Sequence, residues 1–237
     1  LIIFDEFHER SYWTDLAVGH LKELQILGSP IKMLFLSATI DQAPLTSFFD
    51  DIGFIDIELP RFPIEVIYQR KPFRPLWNVE FETNFSTALL ELIQKRKNQI
   101  LVFLPGIKEI RNASRLLESN AKFKSFQIEI LHGSVSLNAQ KEIVTNQNNY
   151  DKRIILATNI AESSLTIAGI TAVLDSGLHR EATYNWEYDE TQLQVKKISQ
   201  FSAIQRQGRA NRLGPGISYK MWTELDERSM EIAPISD

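Results

Sequence analysis

Apolar residues gather into short unbroken runs: "LIIFD" (1–5), "IKMLFLSA" (31–38), "QILVFLPG" (99–106), "FQIEILHG" (126–133), "RIILATN" (153–159) and "ITAVLDSG" (170–177). Runs of this length that end in polar or turn-forming residues predict strands buried on both faces. Between them, "ERSYWTDLAVGHLKELQIL" (9–27) and "ETNFSTALLELIQKRK" (82–97) repeat apolar residues at spacings of three and four, which predicts helices. Strand and helix alternate, so the predicted class is α/β: a parallel sheet with right-handed crossovers and helices on both faces. The rhythm breaks at "LPRFPIEVIYQRKPFRPLWNVE" (59–80), where four prolines lie among basic residues. A domain boundary is expected there, dividing the chain into 1–62 and 63–237. The leading piece, about 60 residues with two or three strands, is marginal on its own and reads as the second half of a larger domain. The trailing piece has strands enough for a complete small α/β domain. Within it, "HREATYNWEYDETQLQVKKIS" (179–199) alternates polar and apolar residues around "DE", predicting a hairpin before a helix that begins near Ser202.

Composition narrows the chemistry. With 237 residues, 43% of them hydrophobic and 24% charged, the chain can bury a core. It has no cysteine, which excludes disulfides and thiolate metal sites, and its histidines (8, 20, 132, 179) lack metal-ligand spacing. No apolar run approaches the roughly 20 residues of a membrane span, so a soluble, cytoplasmic protein without a membrane partner is expected. A net charge of −4 confines any nucleic-acid groove to a local basic patch.

Open parallel sheets bind ligands outside the carboxyl ends of their strands, and Asp5 and Glu6 stand at such an end. One carboxylate can hold Mg²⁺ through its water shell while its neighbour orients or deprotonates an attacking water; alternatively, both acids simply end a strand in solvent. Ser37 and Thr39 of "SAT" also follow a strand, either joining the same chemistry or capping the next helix, as Asp41 also can. In "QRQGRANR" (205–212), a continuous helix sets Gln205, Arg209 and Arg212 on one face, two guanidiniums and an amide suited to phosphate oxygens. A solvated basic helix is the other reading, but it leaves Gly208 unexplained unless something approaches closely there. In "ATNIAESSLTIAGI" (157–170), Thr158 and Asn159 end a strand where hydroxyl, amide and backbone N–H groups suit phosphate contacts, whereas Ser163 and Ser164 fit capping equally well.

Taken in order, "DEFH", "SAT", "ATNIAESSLTI" and "QRQGRANR" resemble motifs II, III, V and VI of the DEAH/RHA branch of superfamily 2 helicases, and "LIIFDEFHERS" and "HGSVSLNAQ" are similar to the bacterial HrpB-type ATP-dependent helicases. The resemblance covers nearly the whole chain. It implies the C-terminal part of a first RecA-like domain followed by an essentially complete second one, with ATP or another NTP and Mg²⁺ as cofactors. By it, Asp5 and Glu6 are the metal and water carboxylates, and His8 links them to the second domain through Gln205. Ser37 and Thr39 couple nucleotide state to domain movement, Gln205, Arg209 and Arg212 contact the γ-phosphate, and Thr158 and Asn159 grip single-stranded RNA by its backbone. RNA rather than DNA rests on the resemblance alone.

Three positions depart from that pattern. Asn211 stands where glycine is common, Ile143 or Val144 where eukaryotic relatives stack a base on phenylalanine, and Ala168 where an acid is frequent. No GxxxxGK[ST] phosphate cradle occurs in residues 1–237, so these residues alone are expected to be inactive as a piece of a longer helicase. The alternative is a non-hydrolysing nucleic-acid or partner-binding scaffold, against which the retained Glu6, Arg209 and Arg212 weigh.

Overall fold

A computed structural model describes residues 1–9, 11–37, 42–57, 62–71, 77–95, 97–145, 151–162, 167, 169–186 and 189–232. Two compact units make up the chain, one spanning Leu1–Pro60 and the other Arg61–Ala233.

In the first unit, β1 (Ile2–Phe4) pairs in parallel with β2 (Met33–Phe35), and α1 (Tyr12–Ile26) makes the crossover before α2 (Gln42–Phe48). The first helix begins later than the periodicity predicts because Ser11 caps it, its hydroxyl accepting from the Thr14 N–H at 3.1 Å. Phe7, Val18, Leu45 and Phe49 form a small core against Phe4, Met33 and Phe35. Along each strand side chains alternate, so Ile3 and Leu34 face the other way and are exposed.

The second unit is built on six parallel strands: β3 (Ile64–Tyr68), β4 (Gln99–Phe103), β5 (Gln127–Leu131), β6 (Arg153–Ala157), β7 (Ala172–Asp175) and β10 (Gly216–Lys220). They lie in the order β3-β10-β7-β4-β6-β5. The helices are α3 (Val79–Gln94), α4 (Ile107–Ser119), α5 (Leu137–Thr145), α6 (Gln200–Gln207) and α7 (Glu224–Arg228). An antiparallel hairpin of β8 (Leu178–Asn185) and β9 (Glu190–Lys197) leaves the sheet after β7. Burial on both faces explains the unbroken apolar runs. Ile100, Val102, Ile154, Leu156 and Leu174 meet Phe85, Leu89 and Leu92 of α3 and Ile110 of α4. The alternate residues Leu101, Phe103, Ile155, Ala157 and Val173 pack on the opposite side against Ala161, Ile167 and Ala210.

The expected break at 59–80 contains the start of the second unit and an edge strand, β3, whose IEVIY is concealed in the sequence by flanking prolines. Proline is tolerated at an edge, and here Pro63 contributes only its carbonyl, accepting from the Gly216 N–H at 3.0 Å. Strand β10 escapes prediction because its GISYK has neither an apolar run nor clean alternation, although the sheet buries every residue of it.

Two glycines differ sharply in what they permit. Gly177, at the exit of β7, has φ 73°, and a side chain there meets Trp222 at 2.7 Å. Gly208 lies in the right-handed region, and a methyl group on its Cα would have nothing within 4 Å. Gly177→Ala is therefore expected to destabilise the protein, and Gly208→Ala to leave it unchanged or stabilise it by about 0.4–1 kcal/mol, as read from urea unfolding midpoints. The close approach expected at Gly208 is instead found at Gly216, where an added methyl meets the Ala210 carbonyl carbon at 2.6 Å.

Candidate functional site

Asp5 and Glu6 emerge at the carboxyl end of β1. Glu6 takes φ 50°, a left-handed conformation that costs a non-glycine residue roughly 1–2 kcal/mol. Its surroundings hold it there: the Asp5 Oδ1 accepts from the Glu6 N–H at 2.9 Å, and the Phe7 N–H reaches the Leu36 carbonyl of the neighbouring strand's exit at 2.9 Å. His8 Nε2 lies 3.3 Å from the Glu6 carboxylate, and His8 Nδ1 lies 3.2 Å from the Ser37 hydroxyl. His8 thus lies between the Glu6 carboxylate and the Ser37 hydroxyl, and the two contacts orient its imidazole from both sides. The Ser37 hydroxyl therefore lies against His8. Thr39 and Asp41 fall outside the described residues.

In the second unit the polar stretches lie at the carboxyl edge of the sheet, as the parallel topology requires. Thr158 follows β6 and is buried, while Asn159 opens a short 3-10 turn and is exposed. The expected continuous helix over 205–212 does not form. α6 ends at Gln207, and Gly208–Asn211 tighten into a 3-10 turn, so the single face shared by Gln205, Arg209 and Arg212 is broken. Arg209 is buried and donates through Nε to the Glu162 carbonyl at 2.9 Å, with its Nη2 on the same oxygen. Gln205 is half-buried and Arg212 exposed.

A buried charge cluster that the sequence reading missed lies beneath this turn. Arg206 is 1% exposed and donates to the Glu162 carboxylate at 2.8 Å, to Asp175 at 3.0 Å and to the Leu178 carbonyl at 3.2 Å. The Phe103 ring lies under its guanidinium at 4.9 Å, and the Asp175 Oδ1 also accepts from the Gly177 N–H at 2.8 Å. Burial works against the Arg206 charge, but Asp175 and Glu162 outweigh it and hold the guanidinium above its ordinary range. The available signal was the acid of "LDSG" ending an otherwise apolar strand. Arg206 lies off the helical face of 205, 209 and 212, so reasoning from that face passes over it.

The departures also find physical roles. Asn211 has ordinary negative φ, so asparagine's tolerance of unusual backbone is not the reason for it; its side-chain amide donates to the Phe62 carbonyl at 2.6 Å. Ile143 and Val144 pack against the core beside β6. Ser163, Ser164 and Ala168 fall outside the described residues.

His179, at the root of the hairpin, lies 3.8 Å from the Glu181 carboxylate. Burial first, and the Arg206 charge second, hold its pKa below the ordinary value against the pull of Glu181 and Glu162. The unfolded chain therefore binds a proton as pH falls through about 6.5 while the folded chain resists it, so stability declines on acidification from that point. His179→Gln is expected to lose less stability than the unsubstituted protein between about pH 7.5 and about 5.5 in urea unfolding; equal losses would remove His179 from the effect.

"ATP-dependent RNA helicase HrpB" of Escherichia coli (strain K12) is 36% identical over 219 residues, 92% of this chain and 26% of that protein. The human "Probable ATP-dependent RNA helicase DHX34" is 32% identical over 248 residues, 100% of this chain and 21% of that protein. A crystal structure of the Escherichia coli DEAH/RHA helicase HrpB superposes with a TM-score of 0.83 at 32% identity, covering 98% of this chain and 29% of that one. The chain spans 17–27% of the length of the curated relatives it matches. The family model of the helicase conserved C-terminal domain matches residues 85–214, from the middle of α3 through the arginine turn. Strands β4, β5, β6 and β7 lie within that span, as do "ATNIAESSLTI" and "QRQGRANR", and the chain belongs to the helicase conserved C-terminal domain family.

Proposed function

We propose that this chain is part of an ATP-dependent RNA helicase of the DEAH/RHA type, in which hydrolysis by two RecA-like domains remodels RNA. The bare Ile3 and Leu34 face supports reading residues 1–62 as the C-terminal part of a larger first domain, with 63–237 as the second. The observation that carries the function is Glu6, kept in a costly backbone conformation and oriented through His8 and Ser37. Strain of this kind persists where a side chain must be aimed.

The roles follow from the chemistry. Among the described residues no group of three or more His, Cys, Asp or Glu could hold a metal ion. Mg²⁺ needs no such cage, since it is commonly held by one or two carboxylates and the substrate phosphates, and exposed Asp5 suits that. When bound, the ion would neutralise phosphate charge. Glu6 accepts the proton of the attacking water, and His8 keeps its carboxylate aimed. Arg209, Arg212 and Gln205 take the γ-phosphate role that the resemblance gives them, approaching it from α6 and the 3-10 turn rather than from one helical face, with planar guanidiniums suited to phosphate oxygens. Exposed Asn159, with the backbone beside Thr158, contacts the phosphates of single-stranded RNA; the same contacts do not exclude DNA.

The test is ATP hydrolysis by the full-length protein carrying this chain, with and without single-stranded RNA. Hydrolysis stimulated by RNA is expected. RNA binding without hydrolysis under any condition would overturn the reading and favour a scaffold.

A further inference from the structure

The Arg206 cluster joins four segments that otherwise have separate tasks. Its acceptors are Glu162 after β6, Asp175 at the end of β7 and the Leu178 carbonyl at the first residue of the hairpin, while the supporting ring comes from Phe103 of β4. Glu162 is the shared joint, because its carboxylate holds Arg206 and its carbonyl holds Arg209. Immediately before it in the same stretch lies the 3-10 turn Asn159–Ala161 that opens with the proposed RNA contact.

We propose that Arg206 is a positioning residue that links the placement of Arg209 to the RNA-facing turn and hairpin root of the same unit. This deepens, and rests on, the function proposed above. A buried guanidinium is stable only with its full set of acceptors, and removing one leaves an uncompensated charge. Displacement of the Asn159–Glu162 stretch therefore cannot occur without shifting the Arg206 acceptors, and through the Glu162 carbonyl it carries Arg209 along. The hairpin root is coupled in the same way through Leu178. Lysine at 206 cannot replace this arrangement, since one ammonium lacks the planar fork that reaches Glu162 through Nε while reaching Asp175 and Leu178 through Nη1.

The experiment measures basal and RNA-stimulated ATP hydrolysis by the full-length protein, unsubstituted and with Arg206→Lys, Glu162→Gln or both, alongside each thermal midpoint. Arg206→Lys is expected to lower the RNA-stimulated kcat about tenfold or more, a loss of the size typical for coupling between sites. The basal rate should fall less, and the KM for ATP should stay within about threefold, because positioning rather than nucleotide binding is lost. Glu162→Gln, which keeps the carbonyl under Arg209 and removes only a charge, should shift the same quantities in the same direction. The double variant should be little worse than the worse single one. Basal and stimulated rates falling by the same factor would mean a merely structural role, and unchanged stimulation in a folded Arg206→Lys protein would equally overturn the proposal. If Arg206→Lys fails to fold, Glu162→Gln decides alone by the same criteria. Absence of hydrolysis in the unsubstituted protein would strike the proposed function itself, a result distinct from either.

Discussion

Replacing Arg209 by alanine in the full-length protein is expected to lower the rate of ATP hydrolysis by roughly 10³–10⁵-fold, the contribution of an arginine that meets developing phosphoryl charge. In the proposed role, Arg209 is already held in place. Its guanidinium is buried and fixed on the Glu162 carbonyl, so little reorganisation is needed when charge develops on the nucleotide. Arg209→Lys is expected to restore only a small part of the rate, since an ammonium supplies charge without the fork. Rates near those of the unsubstituted protein in either variant would remove Arg209 from the reaction. Steady-state hydrolysis at saturating ATP and RNA is the measurement.

Glu6→Gln has the second large expected effect. The amide has the shape of the carboxylate and can still accept from His8, but it cannot take a proton from water. Turnover is therefore expected to fall by roughly 10²–10⁴-fold, the usual size of a lost general base. Nucleotide binding, measured with a fluorescent ATP analogue, should change little, because the metal is assigned to Asp5 and the phosphates to other residues. Loss of binding and turnover together would mean that Glu6 is structural, with its φ of 50° holding the strand end rather than aiming a base.

Much of the scaffold was legible because parallel strands buried on both faces leave unbroken apolar runs, as in β4 and β6, and because the buried face of α3 carries a clear helical period. The edge strand β3 was concealed by neighbouring prolines that matter little at an edge, and β10 by a composition that only its sheet neighbours explain. The candidate site was legible only as residue types at strand ends. Geometry was less so. Treating 205–212 as one helix ignored the tightening after Gln207, which ordinary helix periodicity does not record. That periodicity also singles out Gly208, which has open space around it, and passes over Arg206, which is among the largest fully buried side chains. Long-range polar pairs such as Arg206 with Glu162 and Asp175 have no local signature, because their partners are fixed by the order of strands in the sheet.

In the function proposed here, a carboxylate of the first unit and an arginine of the second serve one hydrolytic reaction. Single-turnover ATP hydrolysis by the unsubstituted full-length protein, Glu6→Gln, Arg209→Ala and the double variant tests this most directly. Each single change is expected to remove nearly all activity, and the double variant to be scarcely slower than the slower single one, since groups acting as a unit are strongly non-additive. Losses that multiply independently, or substantial hydrolysis surviving in either single variant, would contradict it.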